Sequence, residues 1–88
     1  MAPVCGMTEY MVIETFAPGR SDAVYERLRD RGRMLPEGLE FVQSWLSRDQ
    51  HTCFQLMRTA RPELFETWFE HWRDLVSFEL VELGPKPE

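Results

Sequence analysis

Four short segments of this chain carry apolar side chains at both odd and even positions, and this double-sided pattern constrains the fold more than any other feature. The run from Thr8 to Phe16 has Tyr10, Val12 and Phe16 on one parity and Met11 and Ile13 on the other. Leu39 to Ser47 sets Leu39, Phe41 and Trp45 against Val42 and Leu46. Thr52 to Thr59 sets Phe54 and Leu56 against Cys53 and Met57, and Ser77 to Leu83 sets Phe78 and Leu80 against Val81 and Leu83. Their β-branched and aromatic content and their lengths predict strands. Side chains of a strand alternate between faces, so a sheet with one wet face should alternate apolar and polar residues. These segments do not, and a layer is therefore expected on each side of the sheet.

One layer is supplied by two helical patterns. Ser21 or Asp22 is positioned to cap a helix from about Asp22 to Arg33, with Val24, Tyr25, Leu28 and Gly32 on one stripe. Pro36 and Gly38 forbid its continuation. A second helix opens at Ala60-Arg61-Pro62 and places Leu64, Phe65, Trp68, Phe69, Trp72, Leu75 and Val76 within one arc of about 140°. Arg48-Asp49-Gln50-His51 is short and polar enough to join the two middle strands as a hairpin.

The order predicts an α+β fold, a ferredoxin-like β-α-β-β-α-β sandwich with a four-stranded antiparallel sheet over residues 8–83. Residues 1–7 read as a flexible extension and 84–88 as a frayed tail. Two helices cover only one face of such a sheet. A second copy of the chain is the nearest source for the other layer, which predicts a homodimer through the free sheet face, a dimeric α/β barrel. A chain of 88 residues buries only about 60% of its unfolded surface alone, which adds to the case for self-association.

The net charge of −5 disfavours nucleic acid and anionic membranes as partners, because both are held by a positive footprint. The basic residues are nine Arg and Lys86, a habit expected of a GC-rich genome. No stretch reaches the roughly 18 to 20 apolar residues of a membrane span, and residues 1–6 lack the basic and apolar regions of a signal peptide. A cytoplasmic location is expected, with Cys5 and Cys53 as free thiols, and Met7 reads as an alternative start.

Several polar residues stand where apolar ones would be expected. Glu14 lies in the middle of an apolar strand, and a buried carboxylate is costly unless paired. It reads either as a pocket acid or base with a raised pKa, or as half of a structural ion pair or a wet strand end. Arg33, after the first helix, offers a guanidinium fork to a carboxylate, whether Glu14 or a ligand. Ser44 and Gln55 are polar positions in the middle strands that face either a ligand or a neighbour. Trp45, Trp68 and Trp72 line an apolar cavity for a flat substrate or are simply core. His71 borders the second helix's apolar arc and His51 sits in the hairpin turn; both read as solvated, and Cys53 as a small buried hydrophobe. No spacing matches a metal site, a phosphate loop or a nucleophile–base pair, so no metal and no cofactor are expected.

The stretches Met11-Val12-Ile13-Glu14-Thr15-Phe16, Arg31-Gly32-Arg33-Met34-Leu35-Pro36-Glu37-Gly38-Leu39, Ser44-Trp45-Leu46, Cys53-Phe54-Gln55-Leu56-Met57 and Trp72-Arg73-Asp74-Leu75-Val76 resemble an uncharacterised family of short bacterial proteins. Its members carry a single domain of unknown function related to the dimeric α/β-barrel superfamily. The resemblance runs from Thr8 to about Leu83 and implies the fold and the dimer, but no reaction. The superfamily includes cofactor-independent monooxygenases, haem-degrading enzymes, lactone isomerases and plain ligand binders, so fold cannot choose among them. Three functions follow as expectations. The first is a small-molecule binder with a pocket between sheet and helices, lined by Glu14, Arg33, Ser44, Gln55 and the tryptophans. The second is a monooxygenase- or isomerase-like enzyme in which that pocket does proton chemistry. The third is a structural or interaction dimer without a pocket.

Overall fold

The computed structural model describes residues 7–85. Expectations for Cys5, Lys86, the signal-peptide region and the last residues of the tail lie outside them. The element order is β1 (Thr8–Phe16), α1 (Ser21–Arg31), β2 (Leu39–Leu46), β3 (Thr52–Thr59), α2 (Leu64–Phe69) and β4 (Val76–Glu82). The strands form one antiparallel sheet in the order β2-β3-β1-β4, the ferredoxin-like arrangement that the element order predicts.

Register decides which side chains share a face, because directly paired residues point the same way. Glu14 pairs with Cys53 on β3 and with Phe78 on β4, and Val12 pairs with Gln55 and Leu80. Even positions of β1 and β4 and odd positions of β3 therefore face the helices. On β2 the pattern breaks. Phe41 pairs with Met57, but Gln43 pairs with Leu56 and Ser44 with Gln55, so one extra residue is accommodated at Val42. This bulge turns the rest of the strand over. Leu39, Phe41, Ser44 and Leu46 face the helices, whereas Trp45 pairs with Phe54 on the other side. The expected grouping of Trp45 with Leu39 and Phe41 is thus corrected, and so is its place in the candidate pocket.

The core lies between sheet and helices. Val12, Met57, Phe65 and Trp68 are fully enclosed, with Tyr10, Phe16, Val24, Leu39, Phe69, Trp72, Leu75 and Val76 around them. Aromatic contacts tie α2 to the sheet: Phe65 meets Tyr10 edge-on at 5.0 Å, and Phe69 stacks on Phe78 at 4.1 Å. Two details of the helices differ from expectation. The residue before α1 is Arg20, and neither Ser21 nor Asp22 makes a side-chain cap. Regular α2 ends at Phe69, after which His71, Trp72 and Leu75 donate to carbonyls three residues back. Residues 70–75 are thus tight turns that keep Trp72 and Leu75 inward. A bidentate ion pair from Arg27 to Asp74 clamps these turns to α1 at 2.7 and 2.8 Å.

Among the described residues no helix lies over the opposite face. Met11, Ile13, Phe54 and Leu56 lie there half-covered, and Trp45 and Val81 are 46% and 38% exposed. Among the described residues no helix is long and apolar enough to cross a membrane.

Candidate functional site

The centre of the site is a carboxyl group that the sheet carries into the apolar layer. Glu14 is on the helix-facing parity of β1 and is 7% exposed. Its Oε2 accepts a hydrogen bond of 2.5 Å from Nε2 of Gln55, the neighbouring helix-facing residue on β3. Burial pushes the Glu14 carboxyl up to about 7, against the opposing pull of the Arg33 charge and the Gln55 hydrogen bond. Gln55 is itself 7% exposed, and its Oε1 is buried without a hydrogen-bond partner. Such an acceptor costs free energy until a donor reaches it.

These groups face a cavity of about 250 Å³ between sheet and helices. Glu14, Gln55, Ser44 and Cys53 form the sheet side, and Phe16, Val24, Leu28, Trp68 and Trp72 the apolar walls. Arg33, Tyr25 and Leu46 complete the lining. The volume lies just under the range of roughly 300 to 1,000 Å³ typical of pockets for drug-sized ligands, and suits a smaller molecule.

Arg33 is placed by its backbone. The indole N–H groups of Trp68 and Trp72 both donate to its carbonyl, at 2.8 and 3.1 Å. Gly32 and Met34 on either side have φ of 67° and 60°. For Met34 this left-handed conformation costs about 1–2 kcal/mol, and the two indole bonds to the preceding carbonyl help hold it. The guanidinium lies over the Phe41 ring, Cζ 3.7 Å from its centroid. Among the described residues it forms no ion pair with Glu14, so Arg33 acts on that carboxyl through space and not by contact.

Six of the seven candidate residues therefore converge: Glu14, Arg33, Ser44, Gln55, Trp68 and Trp72. Trp45 does not, for the bulge sends it to the free face. Trp68 and Trp72 are at once core residues, cavity wall and hydrogen-bond donors. Cys53, expected only as a small buried hydrophobe, also lines the site, and its parity with Gln55 on β3 carries that signal. Burial and the nearby Glu14 charge push its thiol up to about 11, with Arg33 opposing, so it is a neutral wall group and not a nucleophile. His71 and His51 are exposed and away from the cavity. Among the described residues no group of three or more His, Cys, Asp or Glu could hold a metal ion.

A family model described as a domain of unknown function, DUF3303, matches residues 8–82. The chain belongs to this family. The DUF3303 match spans every strand and helix and all six converging residues. No curated protein matches the chain. Among solved structures, a protein from Pseudomonas aeruginosa is similar with a TM-score of 0.63 and 14% identity, covering 98% of this chain and 100% of that one. A putative antibiotic biosynthesis monooxygenase from Bacteroides thetaiotaomicron gives 0.58 and 15%, covering 91% and 90%. SnoaB, a cofactor-independent oxygenase from Streptomyces nogalater, gives 0.50 and 16%, covering 94% and 96%. At these identities the likeness establishes the ferredoxin-like fold of this DUF3303 domain and nothing about its chemistry.

Proposed function

We propose that this DUF3303 domain is a homodimeric small-molecule-binding protein whose ligand occupies the cavity around Glu14 and Gln55. The observation that carries this reading is the buried, unpartnered Oε1 of Gln55, a residue that lines that cavity. A fold that buries an acceptor with no internal donor leaves that donor to something that enters. The apolar walls and the few polar groups on the sheet side have the usual make-up of a ligand site. The uncovered apolar face of the sheet supports the dimer, and the free thiol of Cys53 fits a reducing cytoplasm.

A second reading is favoured by one further observation. A buried carboxyl titrating near 7 is poised to take and return a proton at neutral pH. SnoaB shares the fold and is a cofactor-independent oxygenase, which supports an enzyme whose pocket supplies only proton transfer and enclosure. The pocketless dimer has the cavity against it.

Native mass spectrometry of protein purified from its own cells tests the main reading. One small organic molecule bound per subunit is expected. A bare subunit mass from freshly purified protein, with no molecule displaced on denaturation, would contradict it.

A further inference from the structure

The Glu14–Gln55 pair does more than mark a pocket. A carboxamide has a donor end and an acceptor end, and rotation of its plane by half a turn exchanges them at nearly the same positions. The end that Glu14 does not hold is the one left for a ligand to meet. In this structure Nε2 is held by Oε2 of Glu14, and that leaves Oε1 unpartnered. A carboxylate accepts only, so an ionised Glu14 requires this orientation. A protonated Glu14 can instead donate its O–H to Oε1, which leaves the NH₂ as the end without a partner.

We propose that Gln55 sets the hydrogen-bond polarity of the pocket and that the protonation of Glu14 sets Gln55. With Glu14 ionised, the pocket takes neutral, compact ligands that bring an N–H or O–H donor. With Glu14 protonated, it takes ligands of the same size and shape that bring a carbonyl. This rests on the reading of the cavity as a ligand site.

The surroundings leave the switch to this pair. From β3, Cys53 faces Glu14 as a neutral thiol, and from β4 its partner is Phe78. From β2, Ser44 pairs with Gln55 and carries no charge. From α1, Val24 and Leu28 are apolar, Tyr25 is the titratable group on the lining, and Arg27 is taken by Asp74. From the α2 side, Trp68 and Trp72 direct their N–H groups to the Arg33 carbonyl and not into the cavity. Among the described residues Arg33 is the one cation on the lining, and its charge favours the ionised form of Glu14. Burial acts the other way and brings the exchange near neutral pH. A buried polar group left without its complement costs on the order of a tenfold change in affinity or more. That sets the size of the expected discrimination.

The test uses two rigid fused bicycles that stay neutral throughout. Indole offers only an N–H donor, and 1-indanone only a carbonyl acceptor. Their affinities for the wild-type protein are measured by calorimetry at about pH 9 and about pH 5.5, on either side of the Glu14 titration. The lower value stays above the isoelectric point near 5.0. Indole is expected to bind tighter by on the order of tenfold at the higher pH, and 1-indanone at the lower. In Gln55→Met, which keeps length and loses the amide, both the preference and its pH dependence should vanish. A preference that does not move with pH, or one that survives in Gln55→Met, overturns the switch while leaving the pocket standing. Failure of both probes to bind at either pH overturns the ligand site and the switch with it.

Discussion

Glu14→Gln is expected to raise the stability of the fold at pH 8 by about 3 kcal/mol, and to leave it nearly unchanged at pH 4. The sign follows from the direction of the shift. The carboxyl is raised from an ordinary 4.5 to about 7 in the folded protein, chiefly by burial. Between those values the folded chain keeps a proton that the unfolded chain has released. Wild-type stability therefore falls as pH rises through that window and levels off above about 7. The glutamine side chain has the same shape and still offers an oxygen to Nε2 of Gln55, but it has no charge to bury. Urea denaturation of both proteins from pH 4 to 8.5, at one fixed protein concentration, checks this. Parallel profiles would show that Glu14 is not buried as an isolated carboxyl. The same variant separates the two functional readings: on a substrate once found, an enzyme should lose turnover and keep affinity. A binder should show no turnover to lose.

Phe54→Glu should convert the proposed dimer to a monomer. Phe54 stands near the middle of the uncovered face, paired with Ile13 on β1 and Trp45 on β2. In a twofold sheet-on-sheet dimer the substitution places a carboxylate from each copy in one apolar layer. An unpaired buried charge costs about 3–5 kcal/mol, and symmetry counts it twice, so the dissociation constant should rise at least a thousandfold. The position is outside the core between sheet and helices, so the monomer should keep its fold and its cavity. Size exclusion with light scattering should give twice the 10.5 kDa chain mass for the wild type and the single mass for the variant. Equal masses for the two proteins would remove the free sheet face as the dimer interface.

Much of this architecture was readable in the residues, and the exceptions have physical causes. Both ends of β1 and β3 fall where the β-branched and aromatic runs begin and stop. The parity of Glu14 with Val12 and Phe16 also follows directly from a period of two. On β2 the same rule fails at Val42, because a bulge consumes one residue without any glycine or proline to mark it. That single residue moves Trp45 out of the pocket and Ser44 and Leu46 into line with it. The second helix shows a different limit. Spacings of three and four place Trp68, Trp72 and Leu75 inward whether the backbone continues as α-helix or tightens into turns, so the pattern fixes the face and not the length. The contact between two indoles and the Arg33 carbonyl was not readable at all. It joins residues 35 and 39 positions apart through a backbone atom, which no side-chain pattern records.

Gln55 is the proposed polar contact of a ligand in this cavity, and nuclear magnetic resonance observes that contact directly. Protein labelled with ¹⁵N is titrated with a set of neutral one- and two-ring fragments that carry an N–H or O–H group. The expected result is saturable shifts of the Gln55 side-chain amide and the Trp68 and Trp72 indole N–H signals, with Trp45 on the opposite face unmoved. Fragments that shift none of these signals, or that shift Trp45 and leave Gln55 in place, would contradict it.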